Sequence, residues 1–371
     1  MRILISTSSS GSSYIFSIDL AKSLQNLGVE IFLAITGIPL NDRQKKELAP
    51  FNHAYAGYKQ QWMENPWSNL LEAGQWLMKI KKQFKPDVVH LNSMTFGTLP
   101  WNVPVVSVIH SCMLERSKAL HNNQPPRQWK KYKQMARASL RASDAVVAPG
   151  QSTLSAAAAI YGPFKSSRTI PQGRCAYTFR SGVKKSYIFS NGKLNDDAHN
   201  LKLLLEAAPE IDYPIYIADS QGHMNNKNLP ENVFLTGPLY GKKLRDWMSS
   251  ASIYILPAKY EPFGYSLVDA ALSKCALIGG NITSFRENWG KAMHYVENKD
   301  ELVKTVNRLM ENKDDLYLCG QQAYETALEN FTLIKMARHY YQLYRQILTV
   351  KPEIRDRLSE KRKFLKKIQP A

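Results

Sequence analysis

Short apolar runs alternate with amphipathic segments along nearly the whole chain, and the series occurs twice. Arg2–Ser6 reads as a buried strand, followed by a Ser/Gly-rich loop from Thr7 to Ser13. Phe16, Leu20, Leu24 and Leu27 then fall at steps of four, four and three, the period of one helix face, and Gly28 ends the run. Val29–Ala34, Asp87–Leu91, Val105–Ile109 and Ala145–Ala148 read as further strands, with helices near 68–84 and 127–142. Strands alternating with helices predict a parallel, doubly wound sheet. The pattern restarts near residue 187, with strands at Tyr187–Ser190, Pro214–Ala218, Val233–Leu235, Ile253–Leu256 and Ala276–Ile278 and a helix at Leu201–Ala208. The polar, aperiodic segment 174–186 is the expected hinge. The expected architecture is α/β, with two Rossmann-like domains, residues 1–178 and 179–371, facing each other across a cleft. Ligands in such sheets bind at the carboxyl ends of the strands.

Composition narrows the function classes. With 371 residues and 44% hydrophobic side chains, there is core enough for two domains and no case for bulk disorder. Cys112, Cys175, Cys275 and Cys319 lie far apart, without a CxxC pair or His at zinc spacing. Neither a disulfide framework nor a structural metal site is expected, which fits a reducing cytoplasm. The start of the chain turns polar after Ile5, too soon for a signal-peptide core, and no apolar run reaches the ~18 residues of a membrane span. A soluble, cytoplasmic protein is expected. The net charge is +18 and unevenly placed: residues 1–180 carry 22 basic against 9 acidic side chains, and the tail 351–367 carries 8 against 3. Such a field draws phosphates, acidic glycans, anionic lipid or nucleic acid.

Several chemistries lack their signatures. The first loop has one glycine, Gly11, where a dinucleotide fingerprint needs three, and no Walker A, GxSxG or HExxH sequence occurs. No Asp-x-Asp is present to clasp a metal-bound diphosphate. The informative stretch is Tyr260-Glu261-Pro262-Phe263-Gly264-Tyr265-Ser266-Leu267-Val268-Asp269-Ala270-Ala271, which follows the strand Ile253–Leu256. Pro262 and Gly264 shape a turn, and a helix is expected to begin near Tyr265. Free amides at that helix start suit an anion such as a diphosphate. Glu261 and Asp269 then flank the anion site and accept from sugar hydroxyls; otherwise Glu261 caps the helix and Asp269 faces solvent.

This stretch resembles the Glu-Pro-Phe-Gly-x-x-x-x-Glu of retaining GT-B glycosyltransferases of family 4, with Asp269 in place of the second glutamate. Ile170-Pro171-Gln172-Gly173 resembles the family's Ile-Pro-Asn-Gly, Asn191-Gly192-Lys193-Leu194 its Val-Gly-Arg-Leu, and His199-Asn200-Leu201 its Lys-Asn-Leu. Asp87-Val88-Val89-His90 and Ile109-His110-Ser111 match its first-lobe strands, so the resemblance runs from residue 1 to about 345. It implies a GT-B fold whose C-terminal helix returns towards the first domain. It further implies a metal-independent, retaining transfer of a sugar from a nucleotide diphosphate donor, UDP- or GDP-linked, to an acceptor, with no resident cofactor.

Position by position, the resemblance assigns Lys193 and His199 to the donor phosphates, Asp269 to the ribose hydroxyls, and Glu261 to the donor sugar beside Phe263 and Gly264. Asn191, Tyr265 and Ser266 complete the donor set, Gly11 lets the first loop approach the phosphates, and His110 lies beside the reacting sugar. His110 otherwise reads as a strand-end histidine bonded to backbone. Another GT-B enzyme, such as an epimerase or phosphorylase, and a non-catalytic sugar-nucleotide-binding protein are the rival readings. Lys130, Lys133, Arg137 and Arg141 share one helix face, either solvated or turned to an acidic acceptor or anionic membrane; the basic tail is a surface anchor or a solvated end. Trp62, Trp67, Trp76 and Trp129 are core packing, interfacial anchors or a sugar platform. No motif for reading nucleic acid occurs.

Overall fold

The computed structural model describes residues 1–121, 129–219 and 229–349. The first sheet contains β1 (Arg2–Ser8), β2 (Glu30–Thr36), β3 (Asn52–Ala56), β4 (Val88–Leu91), β5 (Val105–Val108), β6 (Ala145–Ala148) and β7 (Ser167–Thr169). Its helices are α1 (Ser12–Gln25), α2 (Asp42–Leu48), α3 (Trp67–Phe84), α4 (Met113–His121), α5 (Trp129–Ala142) and α6 (Gln151–Tyr161). The second sheet contains β8 (Lys185–Gly192), β9 (Ile215–Asp219), β10 (Val233–Leu235), β11 (Ala251–Leu256), β12 (Ala276–Gly280) and β13 (His294–Val296). With it come α7 (Leu201–Ala207), α8 (Gly241–Ser250), α9 (Tyr265–Leu272), α10 (Thr283–Trp289), α11 (Lys299–Glu311) and α12 (Lys313–Asn330). A final helix, α13, spans 333–349.

The strand orders are β3-β2-β1-β4-β5-β6-β7 and β10-β9-β8-β11-β12-β13, with every pair parallel. Parallel strands covered on both faces read as unbroken apolar runs, and β4, β6 and β11 are buried at every position. In each sheet the order reverses beside the first strand, between β1 and β4 and between β8 and β11. That reversal parts the loops above the sheet and opens a crevice at the carboxyl ends.

The crossing between the lobes is made twice. Residues 170–184 carry the chain over, and α13 brings it back. Met336, Ala337, Tyr340, Leu343 and Tyr344 of α13 join the first lobe's core with Phe16, Leu20 and Leu24 of α1. The two crossings run side by side, with an Arg174–Thr332 bridge. A Cβ on Gly173 would stand 2.5 Å from the Thr332 carbonyl, so only glycine permits that approach. The expected helix face around Phe16, Leu20 and Leu24 is buried, but α1 ends at Gln25 and Leu27 is 43% exposed. The expected helix near 127–142 is α5, its first two residues and the tail 351–367 lying outside the described residues.

Candidate active site

The second lobe offers two loops side by side at the carboxyl ends of β8 and β11. The first, 193–200, leads into α7; the second, 257–264, leads into α9. Backbone amides of Lys259 and Tyr260 donate to the Ala198 carbonyl at 2.8 and 3.3 Å, and the Asn200 side chain donates to the Pro257 carbonyl at 3.1 Å. The two loops are therefore tied to each other. Gly264 caps α9 with φ 85°, the left-handed region that a Cβ disfavours, and turns the chain so that the helix points its first amides outward. Among the described residues the Tyr265 and Ser266 amides meet no acceptor. The Phe263 and Gly264 amides do: both donate to Oε1 of Glu261, at 3.3 and 3.0 Å.

Oε2 of Glu261 faces Nε2 of His199 at 3.7 Å. Nδ1 of that imidazole accepts from the Lys193 amide at 3.5 Å, which leaves Nε2 as the edge turned to the carboxylate. Lys193 is exposed beside them, and the Asn191 carbonyl accepts from the Tyr254 hydroxyl at 3.4 Å. Phe263 is buried edge-on against Tyr265 and Phe331, which anchors the turn. The result is a carboxylate, an imidazole, an ammonium and a helix N-terminus gathered at one switch point.

Asp269 lies one turn into α9 and departs from both expectations for it. It is neither solvent-facing nor turned to the open site: it is 5% exposed, and both its oxygens take Arg174, at 2.6 and 3.1 Å. Arg174 also holds Asp19 of α1 at 2.9 Å. One guanidinium thus ties α1 of the first lobe, the crossing segment and α9 of the second. Burial pushes the carboxyls of Asp19 and Asp269 up while Arg174 pulls them down, and the two carboxylates hold the guanidinium firmly charged.

On the first lobe Gly11 stands at the start of α1 with φ 77°, and no protein atom lies within 4 Å of where a Cβ would be. His110 lies in the loop two residues beyond β5, its ring edge-on to Phe16. The Asn92 amide donates to the Ser6 carbonyl and to Ser17 Oγ, so its oxygen accepts from His90 at 3.1 Å and from His110 at 2.6 Å. Nδ1 of His110 accepts from Gln172 at 2.8 Å, and Nδ1 of His90 from Tyr344 at 2.6 Å. Burial lowers His90 to about 4 and His110 to about 3, so both are neutral near pH 7.

The lobes also meet at the site itself. The Tyr260 hydroxyl accepts from the Cys112 amide at 2.9 Å and reaches Glu115 at 3.5 Å, and Arg116 pairs with Asp196 at 2.6 Å. Further along, Glu287 accepts from the Gln151 and Ser152 amides at the start of α6. Burial raises Glu115 to about 7.

Residues 15–174 match the family model Glycosyltransferase Family 4, and residues 179–326 match Glycosyl transferases group 1. The chain belongs to the GT-B glycosyltransferases of family-4 type. Its fold is similar to that of sucrose-phosphate synthase from Thermosynechococcus elongatus, with a TM-score of 0.80 at 14% identity over 95% of this chain and 100% of that one. Anabaena HepE, solved with UDP and glucose, gives 0.76 at 12% identity over 93% and 100%. A stretch of 115 residues is 25% identical to alpha-maltose-1-phosphate synthase of Mycolicibacterium smegmatis, spanning 28% of this chain and 30% of that protein.

In this glycosyltransferase the structure brings Lys193, His199, Glu261, Phe263, Gly264, Tyr265 and Ser266 into one neighbourhood. Asp269 stands apart from that cluster, buried and paired in bidentate fashion with Arg174, each oxygen keeping one further lone pair. His110 is bonded on both nitrogens to side chains, Asn92 and Gln172, so a sugar hydroxyl reaches it only by displacing one of them. Arg174, Asp19, Glu115, Arg116 and Tyr260 carry no sequence signal of their own, since each acquires its partner only when the lobes meet. No helix among the described residues is long and apolar enough to cross a membrane.

Proposed function

We propose that this glycosyltransferase moves a sugar from a nucleotide diphosphate donor to a hydroxyl acceptor with retention at the anomeric carbon and without a metal. The observation that carries this reading is the start of α9, where two amides without acceptors stand beside Glu261, His199 and Lys193. As the sugar C1–O bond breaks, negative charge grows on the leaving phosphate. Lys193, His199 and the Tyr265 and Ser266 amides stabilise it, as fixed dipoles and cations do in oxyanion-hole catalysis. Glu261 orients the sugar hydroxyls and offsets the positive charge of the oxocarbenium-like sugar. The acceptor oxygen attacks from the face the phosphate leaves, and the phosphate takes its proton. His110 acts as a positioning residue, neutral and fixed.

UDP is the first donor nucleotide to test, because HepE was solved with UDP and with UDP-glucose; GDP is the second. Calorimetry with each should show binding to one, and product NMR with the matching sugar donor should show the donor's anomeric configuration retained, with EDTA present. Glu261→Gln should lower turnover by about 10²-fold or more while nucleotide affinity holds. An inverted product, or a Glu261→Gln variant of normal turnover, would overturn the reading.

A further inference from the structure

The second lobe offers the proposed phosphate site one full point charge, Lys193, without the paired donors of an arginine, while His199 spends Nδ1 on the Lys193 amide and has only its Nε2 edge to give. Between them in the chain lies Asp196, whose carboxylate would repel a diphosphate. That carboxylate already has a local partner, the Ala198 amide at 2.9 Å, so the loop does not need a second one. It has one nonetheless. Arg116 of α4 reaches over from the first lobe and donates through Nη2 at 2.6 Å.

An arginine has five N–H donors arranged as a planar fork that suits phosphate. The side chains of Arg116 and Asp196 are 36% and 23% exposed, a range in which an ion pair adds little stability. Its worth as a latch is therefore small, whereas its position delivers a guanidinium to the very loop that lacks one. Cys112, one turn earlier, is tied to Tyr260 beside Glu261, which fixes the angle at which α4 approaches.

We propose that Arg116 is a donor-phosphate ligand contributed by the first lobe, held over the site by Asp196 and handed to the diphosphate when the donor binds. The proposal rests on the donor reading above and adds a consequence: the phosphate site is complete only when the lobes are together. Asp196 is a placeholder anion, so removing its charge should not weaken donor binding.

The test is calorimetry on the full chain with UDP and GDP, with uridine and guanosine as phosphate-free controls. Arg116→Ala should weaken the bound nucleoside diphosphate at least about tenfold, equivalent to about 1.4 kcal/mol, with nucleoside affinity unchanged. Asp196→Asn should leave diphosphate affinity equal or tighter, and this effect should vanish in the Arg116→Ala background. Arg116→Lys, which keeps a charge, should fall between wild type and Arg116→Ala and covers the case in which alanine perturbs folding. Unchanged affinity in Arg116→Ala, or equal losses in Arg116→Ala and Asp196→Asn, would overturn the proposal by showing a bystander or a simple latch. Failure of wild type to bind either diphosphate would instead bring down the donor reading and this proposal with it.

Discussion

Asp269 shows how a partner distant in sequence claims a side chain. Its spacing from Glu261 is that of a paired carboxylate site, yet Arg174, 95 residues away in sequence, claims both oxygens. The buried cluster of Asp19, Arg174 and Asp269 is an ion triad whose members depend on each other. Removing one partner of such a pair costs about 3–5 kcal/mol, because the charge left behind stays buried. Asp269→Ala leaves Arg174 with Asp19 alone and should lower the unfolding free energy from urea titration by up to that amount, with nucleoside diphosphate affinity preserved under conditions where the variant is folded. A stable variant with weakened nucleotide binding would return Asp269 to the ribose. Glu261, in contrast, sits where its sequence neighbours put it: its cap onto the Phe263 and Gly264 amides is a contact across two and three residues, and its other oxygen turns to His199.

At the scale of elements, α5 separates cleanly into two faces. Tyr132, Ala136, Ser139 and Leu140 are buried, and Lys130, Lys133, Arg137 and Arg141 are exposed on the opposite side. Nothing acidic stands in its first turn, and none of the four pairs with a carboxylate among the described residues. We expect this face to hold the enzyme on anionic vesicles at low salt. Neutralising all four residues should weaken that binding by about 1 kcal/mol per residue, measured by co-sedimentation, with UDP or GDP affinity unchanged. Equal binding of wild type to neutral and anionic vesicles would leave the face as a solvated one. The strands that periodicity missed are β3, β7 and β13, all at or next to a sheet edge and three to five residues long. β7 is exposed at every position, and an edge strand with one wet side has no apolar run to announce it.

Across the whole molecule, two histidines and a half-buried carboxyl titrate in opposite senses. His90 sits near 4 in the fold against 6.5 in the unfolded chain, so the unfolded chain binds a proton that the folded one refuses, and stability rises with pH across that window. Glu115 sits near 7 in the fold against 4.5 unfolded, so the folded chain keeps a proton the unfolded one has released, and stability falls as pH climbs from 4.5 to 7. His110, near 3 in the fold, adds to the rising slope, so Glu115 offsets only part of the rise between pH 4.5 and 6.5. Glu115→Gln removes the falling slope, and unfolding free energies from urea titration at pH 4.5, 5.5 and 6.5 should then climb more steeply than in wild type. The extra rise should be about 1–2 kcal/mol, allowing for screening at the half-buried carboxyl. Parallel profiles would mean that Tyr260 and Glu115 do not form the seam between the lobes in solution.

The sequence alone determined the alternation of strands and helices, and hence two parallel sheets with a crevice at their carboxyl ends. Burial on both faces of a strand and on one face of a helix writes itself into local apolar spacing. It likewise determined the turn at Pro262 and Gly264, because a strand, a loop and a helix in immediate succession leave little freedom. The partners of charged groups were decided by tertiary structure. Arg174 on Asp19 and Asp269 and Arg116 on Asp196 join residues that only the closed pair of lobes brings within hydrogen-bond reach, and Asn92 between His90 and His110 depends on the packing of the first lobe. A charge in a sequence states its sign but not its partner, because desolvation and distance are properties of the assembled molecule.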